Sequence, residues 1–99
     1  MRATVHEKQV AALMVVNRIY NQHGEGISII IKVQGQGFGV ELSNFNLFKR
    51  ADHQLGCFNL PIESESLTDI EKLTKKAMHT ALREVGVNFT TLEEFREEK

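Results

Sequence analysis

Residues 27–42 read ISIIIKVQGQGFGVEL, two apolar alternations on either side of a glycine-rich tetrapeptide. Ile27, Ile29, Ile31 and Val33 alternate with Ser28, Ile30 and Lys32, and Phe38, Val40 and Leu42 alternate again after the glycines. A period of two puts each alternating set on one face of a strand. With the turn at Gly35-Gln36, Val33 falls opposite Phe38, Ile31 opposite Val40 and Ile29 opposite Leu42, apolar on apolar each time. A slip of one residue would set apolar positions against Gly39 and Glu41, so the pattern selects a single register. The hairpin then needs a cover for its apolar face.

Gly35, Gly37 and Gly39 also invite comparison with a phosphate-cradling loop. Such a loop follows a strand and opens a helix, whose N-terminus supplies amides and the positive dipole end. Here a strand follows the glycines, and G-x-G-x-x-G begun at Gly35 needs glycine where Val40 stands. The stretch therefore reads as a turn, in which glycine supplies positive φ without steric cost.

Two helical patterns flank the strands. Thr4 with Glu7 has the form of a capping box, and Gly24 offers a left-handed stop, which predicts a helix over residues 5–22. At 100° per residue Val5, Ala12, Leu13, Val16, Ile19 and Tyr20 share one face, with Glu7, Arg18, Asn21 and Gln22 opposite. Val10 and Met14 lie together away from that stripe, between His6, Asn17 and Asn21, with Ala11 and Val15 at the edges. Thr68 with Glu71 forms a second candidate box, opening a helix that runs to Val85 and stops at Gly86. Its apolar face comprises Leu67, Ile70, Leu73, Ala77, Met78, Ala81, Leu82 and Val85.

Between the helices, the apolar parity switches after Ser43-Asn44 to Phe45 and Leu47, which predicts a bulge or a break at those two polar residues. A polar loop over residues 49–54 leads to a third strand over residues 55–60, ending at Pro61. Phe89, Leu92 and Phe95 are spaced to pack a short terminal helix, capped by Thr90 or Thr91, onto the body, with Glu93, Glu94, Glu97 and Glu98 outward. The expected fold is α+β in the order α-β-β-β-α: a three-stranded antiparallel meander with two main helices on one face, plus the short C-terminal helix. Ninety-nine residues bury roughly two-thirds of their unfolded surface, enough for one domain over residues 1–99.

A net charge of -1 gives the chain no global electrostatic preference, so any basic patch has to be local. One occurs on the second helix. Lys72, Lys75, Lys76, His79 and Arg83 project within about a hundred degrees of one another, with no acidic residue between Glu71 and Glu84. Four formal positive charges along roughly 17 Å form a ridge able to follow a phosphate backbone in a salt-dependent way. The alternative is a solvated face whose cations complement the helix dipole, as Arg83 does. Neighbouring aromatics for stacking bases are absent from the ridge, and the terminal glutamates offer a neutralising partner.

The α-β-β-β-α order and the segment LTKKAMHTAL resemble double-stranded-RNA-binding domains, whose second helix presents lysines to phosphates across a groove. The similarity lies in the arrangement of elements. That family carries Pro and His between its first two strands and a glycine pair before its lysines, where this chain has QGQG and IESESLTDIEK. The resemblance implies a phosphate-facing role for the lysine ridge.

The other polar groups do not assemble into a recognisable centre. His53 and Cys57 are four apart but straddle a loop and a strand, and His6, His23 and His79 lack paired ligand spacing, so no metal is expected. Cys57 with His53 as its base would form a nucleophilic pair, yet a cysteine beside Phe58 on a strand reads as buried packing. Glu63 and Glu65 flank Ser64 in a polar connection, and Asp69 and Glu71 open a helix, where negative charge is favourable. Asp52 beside His53 reads as a turn. No catalytic residue, cofactor or small-molecule substrate is expected.

One cysteine cannot form an internal disulfide, which suits a reducing compartment. His6, Glu7 and Gln9 interrupt any signal-peptide core, and no apolar run approaches a membrane span, so a cytoplasmic location is expected. The functional expectation is a small non-catalytic binding module acting through self-association, as a homodimer, or through a protein partner, with Val10 and Met14 at the contact. Free sheet edges offer a further route, on which Lys32 and Glu41 would make pairing selective. The alternative is nucleic-acid binding, to RNA or DNA, through Lys72, Lys75, Lys76 and Arg83.

Overall fold

The computed structural model describes residues 3–44 and 54–87, which fold in the order α1 (Val5–His23), β1 (Ile27–Lys32), β2 (Gly39–Asn44), β3 (Gln54–Asn59) and α2 (Leu67–Glu84). The three strands form an antiparallel sheet in the order β1-β2-β3, and both helices pack on one of its faces. Ile29 pairs with Leu42 and Ile31 with Val40, the register that the alternation selects. The ladder closes at Lys32 and Gly39, so the expected pairing of Val33 with Phe38 lies beyond it. Phe38 turns into the core, while Val33 stays 46% exposed.

The turn itself is tight. The Gly37 amide donates to the Gln34 carbonyl at 2.8 Å, and Gly35 has φ +55 while Gln36 is not positive. Positive φ at the first central residue alone is the II′ pattern, whose twist matches the strands it joins. A side chain from the first helix reinforces it. Gln9 Nε2, almost fully buried, donates to the carbonyls of both Gly35 and Gly37 at 3.0 Å and ties α1 to the hairpin tip.

Helix α1 starts as its capping box requires, with the Glu7 amide donating to Thr4 Oγ1 at 3.1 Å and the Thr4 amide to Glu7 Oε1 at 3.3 Å. Its end differs from expectation. Gly24 closes the helix with φ -89 rather than in the left-handed region. What demands glycine there is space, because a Cβ would overlap the ring and carbonyl of Tyr20. The Tyr20 hydroxyl in turn donates to the Ile27 carbonyl, so the ring spans the turn from α1 into β1.

The N-cap of α2 lies two residues before the expected one. Ser66, in extended conformation, accepts from the Asp69 amide at 3.2 Å, whereas Thr68 lies within the first turn. The earlier start adds Leu67 to the helix ahead of buried Ile70. At the other end Gly86 adopts φ +92, its amide donates to the Arg83 carbonyl and the Val87 amide to the Leu82 carbonyl, which is a Schellman closure.

Ser43 and Asn44 hold regular pairs with β1 and β3, so no bulge falls at these two residues. Asn44 instead points to the helix side, where its Nδ2 donates to the Val85 carbonyl at 2.6 Å and joins β2 to the end of α2. Phe45, Leu47, the polar loop and the terminal segment with Phe89, Leu92 and Phe95 lie outside the described residues.

The core fills the space between sheet and helices. Val16, Leu42, Ile62, Ile70, Met78, Leu82 and Val85 are fully buried, each contributing on the order of 1.5–3 kcal/mol by leaving water. Gly56, opposite Leu42 on β3, permits the closest approach between layers. A Cβ there would overlap the Ala81 carbonyl oxygen and come within 3.1 Å of Ala81 Cα, so α2 rests directly on the strand. The buried stripe of α2 is rotated from the expected one: Thr74 and His79 are buried, while Leu67, Leu73 and Ala77 are only partly covered. Thr74 meets its hydrogen-bonding need by donating to the Ile70 carbonyl at 2.6 Å.

Candidate interaction surfaces

The first candidate surface is the outward line of α1. Gln9, Ala12, Val15, Val16 and Ile19 face the core, which places Val10 and Met14 on the far side of the helix. Met14 is 67% exposed and Val10 41%. Val15, expected at the edge of this patch, belongs to the core. The neighbours His6, Asn17 and Asn21 are exposed as well, and the charged Glu7 and Arg18 border the pair on its other flank.

The second surface is the basic line of α2. Lys72, Lys76 and Arg83 are exposed, Lys75 is half-buried, and His79 departs from the ridge altogether at 3% exposure. The cause is the neighbouring helix. α1 covers that flank of α2, and the His23 ring meets the His79 ring edge to face with centroids 6.5 Å apart. The ridge thus narrows to three exposed cations within about 40° on the wheel, with exposed Asp69 near the same line. Acidic groups collect at this end of the molecule. A cleft of about 700 Å³ between the start of α1 and the connection into α2 is lined by Glu7, Lys8, Glu63 and Glu65 among others. Three of its polar groups serve the fold: Glu7 and Ser66 cap helices, and Lys8 Nζ donates to the Glu63 carbonyl at 3.4 Å.

The third surface is the sheet face away from the helices, where residues of the opposite parity emerge. It carries Ile30 at 55% and Leu55 at 52% exposure, and beside them Cys57. The cysteine was expected to pack inside. Strand parity decides otherwise, because Phe58 and Gly56 take the helix side of β3 and send Cys57 to the open side. Across this face Lys32 Nζ lies 2.7 Å from Glu41 Oε2. The hydrogen bond and charge of Glu41 hold the Lys32 pKa above the ordinary lysine value. A raised pKa favours the charged form, so Lys32 stays charged at neutral pH and, on the alkaline side, its contribution is lost as pH climbs through that raised value.

Among the described residues no group of three or more His, Cys, Asp or Glu side chains is placed to hold a metal ion. His53 and Asp52 lie outside them, so the pairing of His53 with Cys57 does too. No helix among the described residues is long and apolar enough to cross a membrane. The fold and its surfaces define a small α+β domain, one three-stranded sheet with two helices on one face. No protein-family model, curated protein or solved structure matches the chain.

Two buried contacts, those of Gln9 and Gly56, also have signals in the sequence. Gln9 lies on the helical line of Val5, Ala12, Val16 and Tyr20, and a polar residue in an apolar stripe calls for a buried partner. Gly56 interrupts an apolar strand, which marks close approach of another backbone.

Proposed function

We propose that this chain is a small non-catalytic binding module that works through self-association or a protein partner, with Val10 and Met14 of α1 at the contact. The observation that carries this is the exposure of Met14, a flexible apolar side chain on the side of α1 remote from the core. Its surroundings suit a contact with an apolar centre and a polar rim, with His6, Asn17 and Asn21 on one flank of the pair and the charged Glu7 and Arg18 on the other. Two side chains do not suffice alone. Burying what remains exposed of both contributes about 2–3 kcal/mol per chain, against about 8 kcal/mol for micromolar affinity before the cost of association. The polar rim must share in the contact.

Substitution Met14→Glu tests this. At this exposed site the fold is expected to stay intact by circular dichroism, and sedimentation is expected to show any assembly formed by the natural chain shifted toward the 11.2 kDa monomer. A variant that assembles as the natural chain does would overturn the assignment of this surface.

A cytoplasmic location belongs to the same proposal. The second function to weigh is nucleic-acid binding through Lys72, Lys75, Lys76 and Arg83, favoured by the exposure of three of these cations along one helical line. The acidic groups Glu7, Glu63, Glu65 and Asp69 beside the start of α2 oppose a phosphate backbone laid along its full length. Anisotropy titrations with labelled duplex RNA, duplex DNA and single strands at two salt concentrations separate the two. Titrations flat to about 100 µM at both salts are expected; micromolar affinity that falls steeply with salt and is abolished by Lys72→Glu with Lys76→Glu would put nucleic acid first.

A further inference from the structure

β1 is an outer strand of the sheet, and no strand among the described residues pairs with its free edge. It is also the least covered part of the apolar pattern. Ile29 and Ile31, on the helix side, are only half-buried, while Ile30 and Val33 are exposed. An edge of this kind is a template for another strand unless charge, proline or a bulge blunts it. β1 has no proline, and its one charge, Lys32, already carries its own counter-ion in Glu41.

The order of residues along this edge is nearly palindromic. Reading outward from Ile30, the neighbours are Ile29 and Ile31, then Ser28 and Lys32, then Ile27 and Val33. We infer that β1 pairs antiparallel with β1 of a second copy about a two-fold axis at Ile30, joining two three-stranded sheets into one of six strands. This rests on the proposal that the chain acts through self-association, and it names the contact. In that register Ile30 meets its own symmetry mate on the open face, Ile29 meets Ile31 on the helix side, and Ser28 meets Lys32, polar on polar. Opposed residues share parity, so core-facing side chains stay with core-facing ones and outward backbone groups meet outward backbone groups.

Other arrangements lose this match. Moving the axis to Ile29 sets Ile30 against Ser28, and moving it to Ile31 sets Ile30 against Lys32. The opposite edge serves worse. A two-fold axis at Gly56 of β3 would oppose Gln54 to Phe58, and one at Cys57 would oppose Leu55 to Asn59. A closed two-fold dimer also consumes the β1 edge, so no further strand can add there.

Cysteine cross-linking of the full chain, in a Cys57→Ser background, reads the register. Ile30→Cys places two thiols across the axis with Cα atoms about 4.5–5.5 Å apart, inside disulfide range, so mild oxidation yields a covalent dimer. Ser28→Cys leaves its mate four residues away along the strand, about 14 Å, and stays uncross-linked. In sedimentation the natural chain is expected to have twice the monomer mass. Ile30→Lys sets two ammonium groups face to face and raises the dissociation constant at least about 100-fold.

A natural chain that is monomeric at about 100 µM, equal cross-linking at positions 28 and 30, or a dimer unchanged by Ile30→Lys would each overturn the inference. If Met14→Glu dissociates the dimer while Ile30→Lys does not, the contact belongs to α1 and the wider proposal stands without this one. If Ile30→Lys alone dissociates it, the edge is the self-contact and Val10 and Met14 lose that role. Should the lysine variant fail to fold, the two cysteine variants decide.

Discussion

Gly56→Ala is expected to destabilise the domain by about 2 kcal/mol and to lower its melting temperature by roughly 8–16 °C. The added methyl group meets backbone rather than the tip of a side chain: it overlaps the Ala81 carbonyl oxygen and approaches Ala81 Cα to 3.1 Å. Backbone within a helix cannot swing aside, so α2 must lift from β3 as a body. Overpacking of this kind costs about 1–3 kcal/mol, and the reduced freedom of the unfolded chain offsets only about 0.4–1 kcal/mol where backbone angles allow it. For a domain whose whole stability is on the order of 5–15 kcal/mol, the loss is large. Thermal and urea unfolding followed by circular dichroism measures it. An unchanged midpoint would mean that α2 sits farther from β3 than the structure places it.

That glycine also illustrates what is legible in the chain and what is not. Local periodicity settles the hairpin, because Ile29, Ile31, Val40 and Leu42 match in one register only, and a glycine stands where the turn requires positive φ. The capping box at Thr4 and Glu7 is equally local. The N-cap of α2 is less so, because Ser64, Ser66 and Thr68 recur at alternate positions and each has the chemistry of a cap. The tertiary context selects Ser66.

The burial of His79 and the exposure of Cys57 depend on which flank of α2 meets α1 and which face of the sheet is covered. Neither is encoded within one element. His79 lies on the same helical line as Lys72, and only the neighbouring α1 with His23 removes it from solvent. The outward position of Val10 and Met14 was visible on the wheel, because every other large apolar residue of α1 falls toward one side. The near-palindrome of β1 is equally visible in the sequence. It becomes meaningful only once the strand order leaves that edge unpaired among the described residues.

The larger single loss is expected at Leu42, the residue opposite Gly56 in the central strand. Leu42 is fully buried, between Ile29 on β1 and the glycine on β3 and beneath the helices. Leu42→Ala removes its apolar surface and leaves a cavity that the regular ladder on both sides cannot collapse, so a cost of about 3–4 kcal/mol is expected within the range for buried leucines. The melting temperature then falls by roughly 12–30 °C, which brings a domain of this size close to unfolding near 40 °C. The two sites are direct neighbours, so their effects should not add. The space vacated at Leu42 lies beside the point where the Gly56→Ala methyl group crowds α2, and the helix can relax toward it. The double variant is therefore expected to be less destabilised than the sum of the two single ones by about 0.5–1 kcal/mol. Urea midpoints for the four proteins of the cycle decide this. Strict additivity would mean that α2 answers to β3 alone, and that the seat of the helix is set by the glycine without help from the central strand.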